Sequence, residues 1–86
     1  MPKTIIYTTI ACGYCVQAKR LLEEKQVPFE EVDVSYDAEM RRAMMEKSGD
    51  RMTVPQIFVG EMHIGGCDEL YALERSGRLD PLLSAA

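Results

Sequence analysis

The chain has 86 residues, 47% apolar and 28% charged, with a formal net charge of 10 − 14 = −4 and three cysteines. That length makes one domain, residues 1–86, with enough apolar content to bury a core without disulfide staples. No run of lysine and arginine exceeds two residues, which argues against nucleic acid and anionic membrane partners, since both need a basic face.

Met1-Pro2-Lys3 leads into Thr4-Ile5-Ile6-Tyr7-Thr8, a β-branched and aromatic run that predicts a buried strand. Cys12-Gly13-Tyr14-Cys15 follows, and then an amphipathic helix over Gly13–Lys25 with Cys15, Ala18, Leu21 and Leu22 on one face. The helix is expected to stop before Val27-Pro28. Phe29–Val34 reads as a half-buried strand, and Ala38–Ser48 as a helix with Met40, Ala43 and Met44 facing inward as core and Gly49 ending it. Gln56–Val59 and Met62–Ile64 flank Gly60-Glu61, the pattern of a type II′ hairpin. A third helix is expected over Cys67–Ser76, and Asp80-Pro81 offers an N-cap and first-turn proline for a short last one. A right-handed crossover makes the first two strands parallel and the hairpin adds antiparallel ones, so the sheet is mixed with helices on its faces.

The Cys12/Cys15 pair is the chemical centre of the sequence. A Cys-x-x-Cys at a strand-to-helix junction is a thiol–disulfide exchange signature. Unpaired N–H groups at the helix start, with the positive end of its dipole, favour thiolate at Cys12. Cys15, one turn inward, lies within disulfide reach. An odd cysteine count and the lack of an apolar stretch long enough for a signal or a membrane span point to a reducing, cytoplasmic setting.

Four segments together resemble the glutaredoxins, above all the short bacterial dithiol type, over essentially the whole length: Cys12–Cys15 after Ile6-Tyr7-Thr8; Thr53-Val54-Pro55-Gln56-Ile57-Phe58; Ile64-Gly65-Gly66-Cys67-Asp68; and Leu70-Tyr71-Ala72-Leu73. The resemblance implies an α/β thioredoxin fold, a four-stranded mixed sheet with helices on both faces. It also implies a glutathione-dependent oxidoreductase, with no permanent cofactor, acting on protein disulfides and glutathionylated proteins. Cys12 would be the nucleophile and Cys15 the resolving thiol. Glutathione would meet Tyr14, the Thr53-Val54-Pro55 segment with its cis proline, and Gly66, Cys67 and Asp68 at its γ-glutamyl end.

Two departures from the family pattern stand out. Gly13 replaces the usual proline, which loosens the helix start and raises the alternative of a glutathione-ligated 2Fe–2S cluster held by Cys12 and bridging two subunits of an otherwise monomeric protein. Thr8, Thr9, Ile10 and Ala11 occupy the stretch where many members carry a lysine, leaving Arg51 as a substitute for the glycyl carboxylate. Lys19 and Arg20 read as solvated. His63, in a strand without an acidic partner, is not expected to be catalytic. Cys12, Cys15, His63 and Cys67 also form a formal zinc set, disfavoured because the first pair runs straight into an amphipathic helix instead of a tight knuckle.

Overall fold

The computed structural model describes residues 2–84. The β-branched run forms β1 (Thr4–Thr8), followed by α1 (Gly13–Glu24), β2 (Phe29–Asp33), α2 (Ala38–Lys47), β3 (Gln56–Val59), β4 (Met62–Gly65), α3 (Cys67–Arg75) and α4 (Leu79–Ser84). The sheet order is β2-β1-β3-β4. β1 and β2 pair in parallel, whereas β1/β3 and β3/β4 are antiparallel. This is the mixed, thioredoxin-like sheet expected.

Consecutive residues of the central strands point to opposite faces, and the core divides accordingly. Ile6, Ile57, Val59 and Ile64 pack with Ala18, Leu21 and Leu22 of α1, Cys67 and Leu70 of α3, and Leu79 and Leu83 of α4. Tyr7 and Phe58 face the other way, onto Met44 of α2 and Val34. Their rings meet edge to face at 5.7 Å. The buried face of α1 is the one its periodicity predicts: Cys15, Ala18, Leu21 and Leu22. In α2 only Met44 is fully buried, while Met40 and Met45 pack at its margin.

Helix ends fall where the chain turns. Gly49 (φ +70°) and Gly77 (φ +74°) follow the ends of α2 and α3 in the left-handed region that glycine tolerates. Gly60 has φ +60° and Glu61 does not share that region, the sign pattern of a type II′ turn. One boundary differs from expectation. α4 starts at Leu79, so Asp80 and Pro81 lie inside its first turn instead of capping it. Fully buried Leu79 draws the start forward, and a proline anywhere in a first turn forfeits no helical hydrogen bond. β4 carries an irregularity: Ile57 pairs Gly65 but Phe58 pairs His63, which leaves Ile64 as an extra residue just before the chain enters α3.

Candidate active site

The site forms where three chain segments meet beyond the strand ends. The first is the start of α1. Ala11 takes φ +58°, an unusual conformation for a residue with a Cβ, and turns the chain so that Cys12 becomes the helix N-cap. The Cys15 N–H donates to Cys12 Sγ at 3.1 Å, so the sulfur occupies the place that a serine or aspartate oxygen fills in most helices. No acidic side chain lies in the first turn of α1. Cys12 and Cys15 are joined in a disulfide, with Cα atoms 5.2 Å apart. Cys12 is half-buried, whereas Cys15 is 2% exposed. An attacking thiol from outside therefore reaches Cys12 first.

The second segment is Thr53-Val54-Pro55, with a cis Val54–Pro55 bond. Val54 precedes β3, outside its ladder with β1, and its carbonyl oxygen lies 3.9 Å from Cys12 Sγ. The third is the start of α3. The first helical hydrogen bond there runs from Leu70 N to Gly66 O, so the N–H groups of Cys67 and Asp68 have no partner within the helix. Asp68 is exposed and makes no hydrogen bond or ion pair among the described residues. Between the second and third segments lies a groove of about 270 Å³, bordered on the Cys12 side by Tyr14, whose side chain is 63% exposed. Thr53, Val54, Pro55, Gly66, Cys67 and Asp68, all singled out in the sequence, line it together with Tyr14. Cys12 stands at its edge, on the wall of a neighbouring depression with Lys19, Glu31 and Asp33.

Several groups were not anticipated. Glu69 Oε1 accepts from the Gly66 N–H at 2.6 Å and from Arg51 Nη1 at 3.2 Å. The Gly66 hydrogen bond above all, and the Arg51 guanidinium, hold the Glu69 carboxyl below the usual carboxylate range against the opposing effect of partial burial. The glycine pair is accordingly a packing requirement. Gly65 sits at φ +115°, where a Cβ would collide with the Glu69 side chain, and a Cβ on Gly66 would crowd Pro55 O at 3.3 Å. The Gly66 N–H is thus engaged within the chain. Lys19, expected to be solvated, is half-buried and bonds both carboxylate oxygens of Glu31, which also accepts from Thr8 Oγ1 at 2.7 Å. Arg51, the anticipated substitute cation, does line the groove.

The zinc set is not assembled. His63 Nε2 lies 2.7 Å from Gln56 Oε1 and its ring stacks on Phe58, while Cys67 is buried in the core. Among the described residues no group of three or more histidine, cysteine or acidic side chains could hold a metal ion. Burial, and then the Asp68 and Glu69 charges, push the Cys67 thiol up from its ordinary value, so it behaves as an inert apolar residue. No described helix is long and apolar enough to cross a membrane.

The glutaredoxin family model matches residues 4–64. This chain belongs to the glutaredoxin family. Over 85 residues it is 53% identical to a glutaredoxin of Pseudomonas aeruginosa, covering 99% of this chain and 100% of that one. It is also 52% identical over 83 residues to glutaredoxin 3 of Escherichia coli, covering 96% and 99%. Among solved structures, the solution structure of glutaredoxin from Brucella melitensis is 54% identical with a TM-score of 0.84, covering 96% of this chain and 89% of that one. The buckwheat glutaredoxin–glutathione complex superposes with a TM-score of 0.87 at 28% identity, covering 96% and 77%. Like its relatives, this glutaredoxin is a thiol–disulfide oxidoreductase whose redox centre is the Cys12/Cys15 pair.

Proposed function

We propose that this glutaredoxin draws its electrons from glutathione, acting as a monomeric, single-domain cytoplasmic enzyme on protein disulfides and glutathionylated proteins. The observation that carries the reading is the shared edge between Cys12 and the groove. The Val54 carbonyl, 3.9 Å from Cys12 Sγ, belongs to a segment free of sheet pairing and so open to an extended peptide. Glutathione is such a peptide and carries its thiol at the centre. The likeness to a glutaredoxin solved with glutathione supports the same ligand here.

On a glutathionylated protein, the Cys12 thiolate attacks the glutathione sulfur, forming a Cys12–glutathione disulfide and releasing the protein thiolate. A second glutathione thiolate then attacks the bound glutathione sulfur, restoring Cys12 and releasing glutathione disulfide. On a protein disulfide, Cys12 forms a mixed disulfide with the substrate, and the deprotonated Cys15 displaces the remaining substrate thiolate. This leaves the Cys12–Cys15 disulfide, which two glutathiones reduce with release of one glutathione disulfide. Tyr14 borders the ligand, Thr53, Val54 and Pro55 hold its peptide backbone, and Gly66, Cys67 and Asp68 form the γ-glutamyl end. There the free N–H groups of Cys67 and Asp68 take the carboxylate and the Asp68 carboxylate takes the ammonium. Arg51, anticipated for the glycyl carboxylate, is instead paired with Glu69 beside Gly66 at the γ-glutamyl end.

The division of labour between the thiols is the test. Cys15→Ser exposed to glutathione disulfide should gain the mass of one glutathionyl group on Cys12 and retain most reduction of glutathionylated peptides, while losing dithiol reduction of protein disulfides. Cys12→Ser should do neither. A Cys15→Ser protein that takes up no glutathione would sink the reading.

A second reading, the 2Fe–2S cluster bridging two copies, is favoured by the space around the α1 start, where nothing lies within 4 Å of a Cβ built on Gly13. A solved structure 53% identical to this chain is described as "Metal Binding of Glutaredoxins". This chain offers Cys12 as the one accessible thiolate, so the remaining ligands would come from glutathione and the second copy. Such a cluster would supply one-electron chemistry or cluster transfer. Anaerobic reconstitution with glutathione, read by visible absorption and a sizing column, should give a coloured dimer; a colourless monomer removes this reading.

A further inference from the structure

Behind Thr53, on the side away from the groove, the fully buried Gln56 side chain meets a polar partner at each end. Gln56 Nε2 lies 2.9 Å from Thr53 O and 3.2 Å from Thr53 Oγ1, and Gln56 Oε1 lies 2.7 Å from His63 Nε2. These contacts fix the direction of every hydrogen bond. A backbone carbonyl only accepts, so the amide nitrogen is the end facing Thr53 and the amide oxygen the end facing His63. An amide oxygen also only accepts, so His63 carries a proton on Nε2. Burial first, and then the Arg51 charge, lower the His63 pKa against the weaker pull of Glu69, which keeps the ring neutral near pH 7. Its stacking on Phe58, centroids 4.8 Å apart, holds the ring in place.

Gln56 therefore spends both amide protons on Thr53. Since Thr53 Oγ1 receives one of them, its own proton points elsewhere, and the exposed Thr53 side chain lines the groove. We infer that His63 and Gln56 are positioning residues that leave the proton of the Thr53 hydroxyl free to be donated into the groove, matched to an acceptor oxygen, carbonyl or carboxylate, on the bound thiol peptide. The inference rests on the glutathione reading and deepens it. Without the His63 proton, the buried amide is free to turn its oxygen toward Thr53, where it would repel the carbonyl and compel the hydroxyl to donate inward.

The test is a double-mutant cycle read as KM and kcat on a glutathionylated peptide. Thr53→Val removes the hydroxyl and keeps the branched shape; KM should rise roughly fivefold, with kcat changing far less. His63→Phe keeps the aromatic ring and removes the donor; KM should rise about threefold or more, and His63→Gln, which restores an N–H of similar reach, should recover most of the loss. In the Thr53→Val background, His63→Phe should add nothing, because the group through which it acts is gone. If the two effects add, or if His63→Phe leaves KM unchanged while Thr53→Val raises it, the relay is refuted. Should His63→Phe fail to fold, Gln56→Met takes its place in the same cycle. If Thr53→Val has no effect the relay also falls, and Asp68→Ala in the same assay then decides whether the glutathione groove falls with it.

Discussion

The two helix starts that frame the groove use the same backbone device for opposite purposes. At α1 the cap is a sulfur, accepting from the Cys15 N–H, and no carboxylate lies in the first turn. At α3 the cap is Gly66, and Asp68 and Glu69 both sit in the first turn, with Glu69 folded back onto the Gly66 N–H. The positive end of α1 is thus reserved for a charge that appears only when Cys12 is a thiolate. At α3 part of the same field is spent within the chain, and what remains, the Cys67 and Asp68 N–H groups beside an unpaired Asp68 carboxylate, suits a ligand carrying both charges. A helix N-terminus is therefore not one kind of site. The residues of its first turn decide whether it stabilises a reactive anion or orients a zwitterion.

Removing the unpaired carboxylate at α3 should have the largest effect on that contrast. Asp68→Ala should raise KM for glutathionylated substrates about tenfold or more, as a charge-assisted hydrogen bond of roughly 1.5–3 kcal/mol implies. A change within twofold, with the fold intact, would reduce Asp68 to a residue that merely favours the helix start. Neutralising the internal cap should act on stability instead. Glu69→Gln should cost about 1 kcal/mol at neutral pH, trimmed by the exposure of the Glu69–Arg51 pair, when measured by urea unfolding. The sign with pH follows from the lowered Glu69 pKa. The carboxylate contributes fully above the unfolded-state value, near pH 4.3, and its contribution disappears as the pH falls through the lower folded-state value. The gap between wild type and Glu69→Gln should close in that acid window; a gap constant from pH 7 to pH 2 would contradict the assignment.

Giving α1 what α3 already has sharpens the comparison from the other side. Val16 is exposed on the first turn and a half of α1, and Val16→Glu sets a carboxylate near the positive end. The Cys12 thiol should then titrate higher by about 0.2–0.7 pH units, an interaction of roughly 0.3–1 kcal/mol, read by thiolate ultraviolet absorption in the Cys15→Ser background. No upward shift would mean that the helix field does not control Cys12. A change of similar size, in stability alone, is expected at Gly13, which is helical and has open space where a side chain would start. Gly13→Pro should raise stability by about 0.4–1 kcal/mol through the unfolded chain and leave mixed-disulfide turnover intact. A loss of stability would show that the α1 start cannot accept the proline φ.

The α1 half of this contrast was legible in the sequence, because periodicity reports which face of a helix is buried and where a strand hands over to it. The buried set Cys15, Ala18, Leu21 and Leu22, the order of elements along the chain and the parallel pairing of β1 with β2 follow from pattern, whereas the order of strands across the sheet was not read from it. The α3 half was only partly legible. Gly66, Cys67 and Asp68 came from resemblance, but the reason for the glycines, the Glu69 side chain against Gly65 and Pro55 O against Gly66, depends on space that no linear spacing encodes. Arg51 finds Glu69 18 positions away, and His63 finds Gln56 across a hairpin with a bulge in it. Such partners are chosen by tertiary geometry, and a histidine without an acidic neighbour in the sequence gives no sign of a neutral amide facing it. The start of α4 escaped for a related reason: burial of Leu79 outweighed the local capping preference of Asp80.

Cys67 bears on how faithfully the enzyme can cycle. Three cysteines allow three internal pairings, and a mixed disulfide on Cys12 is open to attack by any neighbouring thiolate. Cys15 is one turn away on the same helix, whereas Cys67 is packed among the leucines of the core with its thiol held protonated by burial and by two adjacent carboxylates. The thiolate needed for misrouting is scarce there, and so is the access. Each turnover consequently has one internal exit, and an oxidised stock of the protein should consist of a single disulfide isomer that returns wholly to the active dithiol on reduction.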